Sequence, residues 1–174
     1  MKHRKINILT AIAFGAVITF TACSKDDGAI PKRIGIEDVP AITTNTETGG
    51  TTGTITYTNQ AAFQGKFKVA LFFPGALPPT KVDVVVRKNG SAANVKLFKA
   101  DVTSLPANFT VTASEIVALF GDTLKLNDNY DFAPDIYVGE KKYQAFPAVG
   151  LGNGQGITGQ ASIGYGEFVR YSVK

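Results

Sequence analysis

Lys81-Val82-Asp83-Val84-Val85-Val86-Arg87-Lys88-Asn89-Gly90-Ser91, followed by Val95-Lys96-Leu97-Phe98-Lys99-Ala100, decides the fold class of this 174-residue chain. Val82, Val84 and Val86 recur at the period-two spacing that sends alternate side chains to one face of a strand. Asn89-Gly90 follows at once, and both residues tolerate positive φ, as a tight hairpin turn requires. The stretch therefore predicts two antiparallel strands joined by a turn, with the valines facing a core.

The same logic extends outward. In 66–73, Phe67, Val69, Leu71 and Phe73 line one face while Lys66 and Lys68 line the other. Residues 54–58 (Thr-Ile-Thr-Tyr-Thr) alternate in the same way. Pro74-Gly75 and Pro78-Pro79 break the chain between strands. Residues 34–42 have extended character with Pro40 at an edge position, and 43–53 read as a polar loop; the alternative is the disordered end of an N-terminal tether, with the domain starting nearer Thr54. Beyond the hairpin, Leu105-Pro106 marks a turn before a short strand at 108–112. Ser114 is the expected N-cap of a two-turn helix crossing between sheets. Glu115 falls in its first turn, Ile116, Leu119 and Phe120 share a face, and Gly121 is the C-cap. Residues 131–138 predict a strand that Pro134 restricts to an edge or a bulge. A turn at Gly139-Glu140-Lys141, a return over 142–146 and a last strand at 168–173 complete the chain. Seven to nine short strands and one helix indicate an all-β fold, an antiparallel β-sandwich with Greek-key connections. With one cysteine and no tryptophan, the antibody-domain hallmarks are not expected. No fixed-period repeat suggests a solenoid or propeller.

The first 28 residues, MKHRKINILTAIAFGAVITFTACSKDDG, hold the only Cys, His and Met of the chain. Lys2, His3, Arg4 and Lys5 form a basic n-region, and residues 6–20 an apolar h-region shorter than the roughly 20 residues of a spanning helix. Phe20-Thr21-Ala22-Cys23 resembles the lipobox of bacterial lipoproteins, with Phe20 where leucine is usual. That resemblance implies a signal peptide at 1–22, cleavage before Cys23 and acylation of its thiol. The alternative is an uncleaved anchor with a buried cysteine. Ser24, Lys25, Asp26 and Asp27 resemble the export signal of Bacteroidetes surface lipoproteins; a solvated spacer is the alternative. Residues 23–33 then form a lipidated tether and 34–174 the folded domain. Outer-membrane lipid is the partner that acylated Cys23 implies, on the cell surface. Removing Lys2, Arg4 and Lys5 leaves 15 basic against 14 acidic residues, so the basic pI of the whole chain is no nucleic-acid signature. The 152 residues from Cys23 onward suffice for one buried core, held without any disulfide.

From Cys23 onward there is no histidine and no thiol free of the lipid site, which removes Ser-His-Asp and Cys-His catalysis and His-ligated metal sites. Carboxylates alone remain, and Asp83, Asp101, Glu115, Asp122 and Glu140 fall mostly at outward or turn positions. No enzyme, metal or cofactor is expected. Gly154-Gln155-Gly156-Ile157-Thr158-Gly159 matches G-x-G-x-x-G but lacks the preceding strand, following helix and downstream acid of a dinucleotide site. Residues 150–166 read instead as a long loop that either contacts ligand or is merely mobile. Asn127-Asp128-Asn129-Tyr130-Asp131 gathers oxygen ligands without EF-hand spacing, in residue types that turns favour anyway. Asp122-Thr123-Leu124 resembles the O-glycosylation site of Bacteroidetes secreted proteins; the alternative is a helix-exit turn. Tyr137, Tyr143 and Tyr165 are the candidate ligand contacts, as rings able to stack on sugar faces.

The 82–89 strand and turn, Val111-Thr-Ala-Ser-Glu-Ile-Val-Ala-Leu-Phe-Gly121 and Tyr143-Gln-Ala-Phe-Pro147 resemble the N-terminal domain of SusE-type lipoproteins of glycan-uptake systems. The resemblance implies an immunoglobulin-like sandwich over 34–174. It also implies a non-catalytic accessory module that binds polysaccharide or SusC/SusD-like proteins. The departure is that the glycan-binding domains of that family follow this one, whereas this sequence ends at Lys174. An adhesion or structural envelope module acting through protein contacts is the alternative function.

Overall fold

Alternating hydrophobicity becomes nine strands among the described residues, 39–150 and 164–174 of the computed structural model. They are β1 (Ile42–Thr46), β2 (Thr52–Ile55), β3 (Gln64–Leu71), β4 (Lys81–Lys88), β5 (Val95–Val102), β6 (Ala107–Thr112), β7 (Asn129–Val138), β8 (Lys141–Tyr143) and β9 (Val169–Val173). A 3-10 helix (Tyr57–Ala62) joins β2 to β3, and α1 (Ala113–Phe120) joins β6 to β7. The lipobox, the export run and the tether lie outside the described residues.

The strands form two sheets, β1-β3-β6 and β2-β9-β7-β4-β5, with β8 paired to the end of β7. Taking β1, β3, β4, β6, β7 and β9 as strands A, B, C, E, F and G, this is the immunoglobulin-like order, A-B-E facing G-F-C. The fold is thus an all-β sandwich with one short α-helix. Its pairing is antiparallel with one exception. β2 runs parallel to β9, from Thr52↔Arg170 to Ile55↔Val173, because the chain switches sheets between β1 and β2.

Four phenylalanines join the sheets. Phe67 of β3 and Phe109 of β6 are cross-strand partners, stacked with centroids 5.3 Å apart. Phe132 of β7 meets Phe67 at 5.2 Å and Phe98 of β5 at 5.4 Å. Val69, Val82, Val84, Val86, Val111 and Val169 pack around them with no solvent exposure, so the valines of β4 face the core as their spacing predicts. Phe73 does not join them: β3 ends at Leu71 and Phe73 stands 60% exposed in the following loop.

The hairpin turn forms as read. Asn89 has φ 53° and Gly90 φ 70°, and Ser91 N–H donates to the Lys88 carbonyl at 3.1 Å. A β-bulge lies farther along, where Val82↔Val102 is followed by Val84↔Lys99. The helix begins one cap earlier than expected. Thr112, not Ser114, is the N-cap: its hydroxyl accepts from Glu115 N–H at 3.3 Å, and Glu115 Oε2 accepts from Thr112 N–H at 2.7 Å. Glu115 is the third helical residue, so this reciprocal box satisfies two end donors where a Ser114 cap would satisfy one. Gly121 caps the other end with φ 67°.

Two further expectations are corrected. Residues 43–53 are not all loop, since 43–46 belong to β1, with Thr43 and Thr44 buried. Their polar side chains disguise a strand whose backbone is covered by 164–166: Thr44 N–H donates to Gly166 O at 2.6 Å and Gly166 N–H to Thr43 Oγ1 at 2.8 Å. A Cβ on Gly166 would strike the Thr44 carbonyl. Pro134 sits in the central strand β7, not at an edge, opposite Val84. Asn89 N–H donates to Asn129 O, and hydrogen-bonded pairs alternate from there, so Val84–Pro134 is a non-hydrogen-bonded pair. The proline nitrogen thus faces the far side, between the last β9 pairing at Phe132 and the first β8 pairing at Ile136. A ring nitrogen without hydrogen costs no ladder bond there.

The corner between α1 and β7 is held by charge. Lys88 Nζ lies 3.1 Å from both Asp122 Oδ2 and Asp128 Oδ2, beneath the surface. Asp128 also accepts from Asn89 Nδ2 at 2.9 Å, Lys125 N–H at 3.1 Å and the Tyr130 hydroxyl at 3.2 Å. Burial pushes the Asp128 carboxyl up, but these donors and the Lys88 ammonium outweigh it and hold the group below its ordinary value. Burial and the Asp128 charge raise the Tyr130 phenol to about 12. A tyrosine at the start of strand F, two residues before the core position, occupies the place of a tyrosine corner, although its hydroxyl bonds the Asp128 carboxylate rather than upstream backbone.

Phe132→Ala lowers the unfolding free energy by about 4 kcal/mol, read by urea denaturation, because it leaves a cavity between the sheets. A carboxylate whose folded pKa is depressed contributes stability that is complete above its unfolded value and lost as pH falls through the folded one. Asp128 therefore makes stability fall below about pH 4. Asp128→Asn costs about 2 kcal/mol at neutral pH and flattens that acid slope, measured by denaturation between pH 3 and 7.

Candidate functional site

The three candidate tyrosines are not brought together. Tyr143 pairs with Ile136 and packs against the main core, whereas Tyr137 pairs with Lys142 on the outer face of the sheet. Tyr165 is 6% exposed, set edge-on against Phe72 at 5.2 Å, and burial raises its phenol. Period-two alternation separates the first two, and packing removes the third, so no exposed row of rings arises from them. The 154–159 glycine motif and most of the 150–166 loop lie outside the described residues.

The outer face around Tyr137 is polar but engaged. Asp83 of β4 and Asp135 of β7 are directly opposed, an unfavourable pairing unless each is neutralised. Asp83 Oδ1 accepts from Asp101 N–H at 2.8 Å, stitching the β5 bulge, and lies 3.6 Å from Lys81 Nζ. Asp135 accepts from Ala145 N–H and meets Lys142 Nζ, both at 2.8 Å. Burial raises the Asp83 carboxyl. Hydrogen bonds from Asp101 N–H and the Tyr137 hydroxyl, with the neighbouring lysines, reverse that and leave it below its ordinary value. The depression above them, about 380 Å³, thus has carboxylates already committed to backbone and lysine partners.

Farther along the same face Asp131, with no exposure, is held by two arginines. Arg170 Nε and Nη2 donate at 2.7 and 3.0 Å, and Arg87 Nη2 at 3.0 Å. Phe146 lies over the Arg87 guanidinium at 4.0 Å and helps keep this network from water. Sequence placed Asp83 at a solvated outward position. Instead it is buried among Asp101 N–H, Lys81 and the Tyr137 hydroxyl, while Ala145 and Phe146 pack on Val85 and Ala133 of the same two strands. Within the oxygen-rich run 127–131, Asp128 and Asp131 face different partners, and no group of three or more His, Cys, Asp or Glu able to hold a metal occurs among the described residues.

A second concavity has a different chemistry. It is a cleft of about 500 Å³ at the edge of the sandwich, where the chain crosses from β1 to β2 and returns through the 3-10 helix to β3. Thr52, Thr54, Thr56, Asn59 and Gln64 present exposed hydroxyl and amide groups along its walls. Phe63 and Tyr171 form its floor, edge-on to each other at 5.2 Å. Tyr171 donates to the Lys66 carbonyl at 3.1 Å, and burial with the nearby Glu47 charge raises its phenol to about 12, so it is neutral at physiological pH. Glu47 and Lys66 at the rim pair at 3.8 Å, both well exposed, so they offset each other's charge with little effect on stability.

The floor depends on two glycines. A Cβ on Gly53 would lie 2.6 Å from the Tyr171 ring, and one on Gly65 would lie 2.6 Å from Phe63 and 2.7 Å from Tyr171. Sequence reading missed this cleft, since its residues come from four segments and look like ordinary turn and edge positions. The one available signal was the threonine and glycine bias of 43–56. Chemically the cleft can accept and donate hydrogen bonds and offers the half-buried Phe63 ring, Tyr171 being buried against it, with no nucleophile or acid–base pair at its floor.

Gly65→Ala forces both rings to move and destabilises the domain by about 1–3 kcal/mol, read as a lowered thermal midpoint. Compared with protein-family models, curated proteins and solved structures, the chain matches none.

Proposed function

We propose that this chain is a non-catalytic lipoprotein, anchored through acylated Cys23 to the outer membrane and exposed at the cell surface. In this proposal it binds an uncharged glycan in the cleft over Phe63 and Tyr171. The observation that carries the reading is the cleft's lining: hydroxyl and amide walls, a floor whose accessible ring is the half-buried Phe63 backed by buried Tyr171, and a rim whose two charges offset each other. Sugars present apolar C–H faces and a ring of hydroxyls, which such a surface complements. Its volume, about 500 Å³, lies within the range of small-ligand sites. The lipobox and acidic export run support the surface address, and the resemblance to SusE-type domains supports a place in polysaccharide uptake beside SusC/SusD-like proteins. The alternative, an adhesion or structural module working through protein contacts, draws on β5, an eight-residue edge strand with Leu97 52% exposed.

Affinity electrophoresis against neutral and acidic polysaccharides separates the two. A neutral polysaccharide retards the chain, and Asn59→Ala with Thr54→Val weakens binding at least tenfold, about 1.4 kcal/mol, with unchanged thermal unfolding. Retardation by no polysaccharide favours the protein-contact reading. A gene neighbourhood without a transporter and SusD-like pair removes the uptake assignment while leaving glycan binding open to the same assay.

A further inference from the structure

The β3–β4 connection, Phe72-Phe73-Pro74-Gly75-Ala76-Leu77-Pro78-Pro79, contains no charged residue. It is an ordered loop. Ala76 N–H donates to the Phe73 carbonyl at 2.9 Å, and the Phe72 ring is fixed edge-on against Tyr165. Yet it leaves Phe73 60% and Leu77 87% exposed, with Pro74 and Pro78 exposed beside them. Scattered apolar residues need no explanation, but a contiguous apolar loop held out by its own hydrogen bonding marks an interaction surface.

Where the chain enters the domain says what covers that surface. Phe72 N–H donates to the Ala41 carbonyl at 2.9 Å, and Ile42 pairs with Leu71, so the segment arriving from Cys23 reaches the sandwich at the foot of this loop. The 16 residues 23–38 can span no more than roughly 55 Å. The opposite end of the sandwich lies a further β7 length away, about 33 Å for ten residues. The tether is longer than the sandwich, so attachment at Cys23 brings the apolar loop within reach of lipid without fixing the domain's orientation, which the loop's own chemistry then selects. At the loop's other foot, Gly139 N–H donates to Thr80 Oγ1 at 2.8 Å and places exposed Lys141 alongside. Aromatic and aliphatic tips flanked by a lysine suit the boundary between headgroups and acyl chains.

We propose that the 72–79 loop docks on the bilayer surface that anchors the chain, with Phe73 and Leu77 entering the interface. The inference rests on the Cys23 anchoring proposed above. Docking holds the domain upright, so the end bearing the 3-10 helix points away from lipid.

The chain has no tryptophan, so Phe73→Trp and Leu77→Trp each install a single fluorescent reporter, and Tyr57→Trp provides one at the far end. Full-length protein extracted from membranes is reconstituted into phosphatidylethanolamine vesicles with a minor fraction of phosphatidylglycerol, with and without brominated acyl chains. The mass of the N-terminal peptide reports acylation separately. Tryptophan at 73 or 77 should shift to shorter wavelength and lose roughly half its emission to bromolipid, as expected about 5–10 Å into the interface, while tryptophan at 57 stays unquenched. Acylated protein whose 73 and 77 reporters remain in water overturns the docking and leaves the anchoring intact. A blue shift that grows with protein concentration but ignores bromolipid assigns the loop to a second copy and overturns it too. Absence of acyl groups together with loss of vesicle association overturns anchoring and docking together.

Discussion

The contact between Phe67 and Phe132, rings 5.2 Å apart on strands of opposite sheets, is the constraint on which the rest of the domain depends. In antibody domains the corresponding strands B and F are joined by a disulfide, with a corner tyrosine two residues before the second cysteine. Here Tyr130 stands two residues before Phe132, and the sole cysteine of the chain lies far upstream. A disulfide acts largely by restricting the unfolded chain, whereas ring packing acts only in the folded state and needs close-fitting neighbours. The core accordingly extends as a train of rings, Phe98, Phe67, Phe132, Tyr171 and Phe63. Its last two members are the floor of the cleft, so the shape of the candidate site is set by the same packing that joins the sheets.

Buried charge is managed in a consistent way. Asp83, Asp128, Asp131 and Asp135 are all buried, and each accepts from a backbone N–H, a cation or both. Several of their contacts join separate elements: β4 to the β5 bulge, β7 to β9, β7 to the segment after β8. Removing one partner would strand a charge, which costs far more than the pair itself contributes. These groups act as stitches between elements, and none of them lines the cleft.

The two ends of the sandwich differ in kind. One collects the incoming chain, the apolar 72–79 loop and the β7–β8 turn. The other carries the 3-10 helix, the capped helix α1 and the Lys88–Asp128 corner, and the cleft opens along the edge toward it. Strands running the length of the domain link the two without either needing to move. Under the proposed orientation, attachment and ligand contact occupy separate surfaces, and the rigid sheet between them sets their distance.

Much of this was legible residue by residue. Alternation exposed the cores of β3 and β4, Asn89-Gly90 the turn, and Gly121 the end of the helix, because each depends on neighbours within a few positions. Thr112 lost out to Ser114 in sequence because both are capping residues; the reciprocal contact with Glu115 decides between them. Pro134 read as an edge signal because a proline nitrogen cannot donate, and only the staggered reach of β8 and β9 shows that no donor is wanted there. The polar residues of β1 hid a strand, since what buries Thr44 is the backbone of Gly166, more than a hundred positions away. By itself the sequence determined an all-β sandwich and an expected address, through local patterning and through residues that are missing. The tertiary structure alone decided that Tyr137, Tyr143 and Tyr165 stand apart, that β2 pairs in parallel with β9, and that Phe63 and Tyr171 meet beneath the threonines of the cleft. Those outcomes depend on which segments lie side by side, and pairing across long sequence separation leaves no periodic mark in the chain.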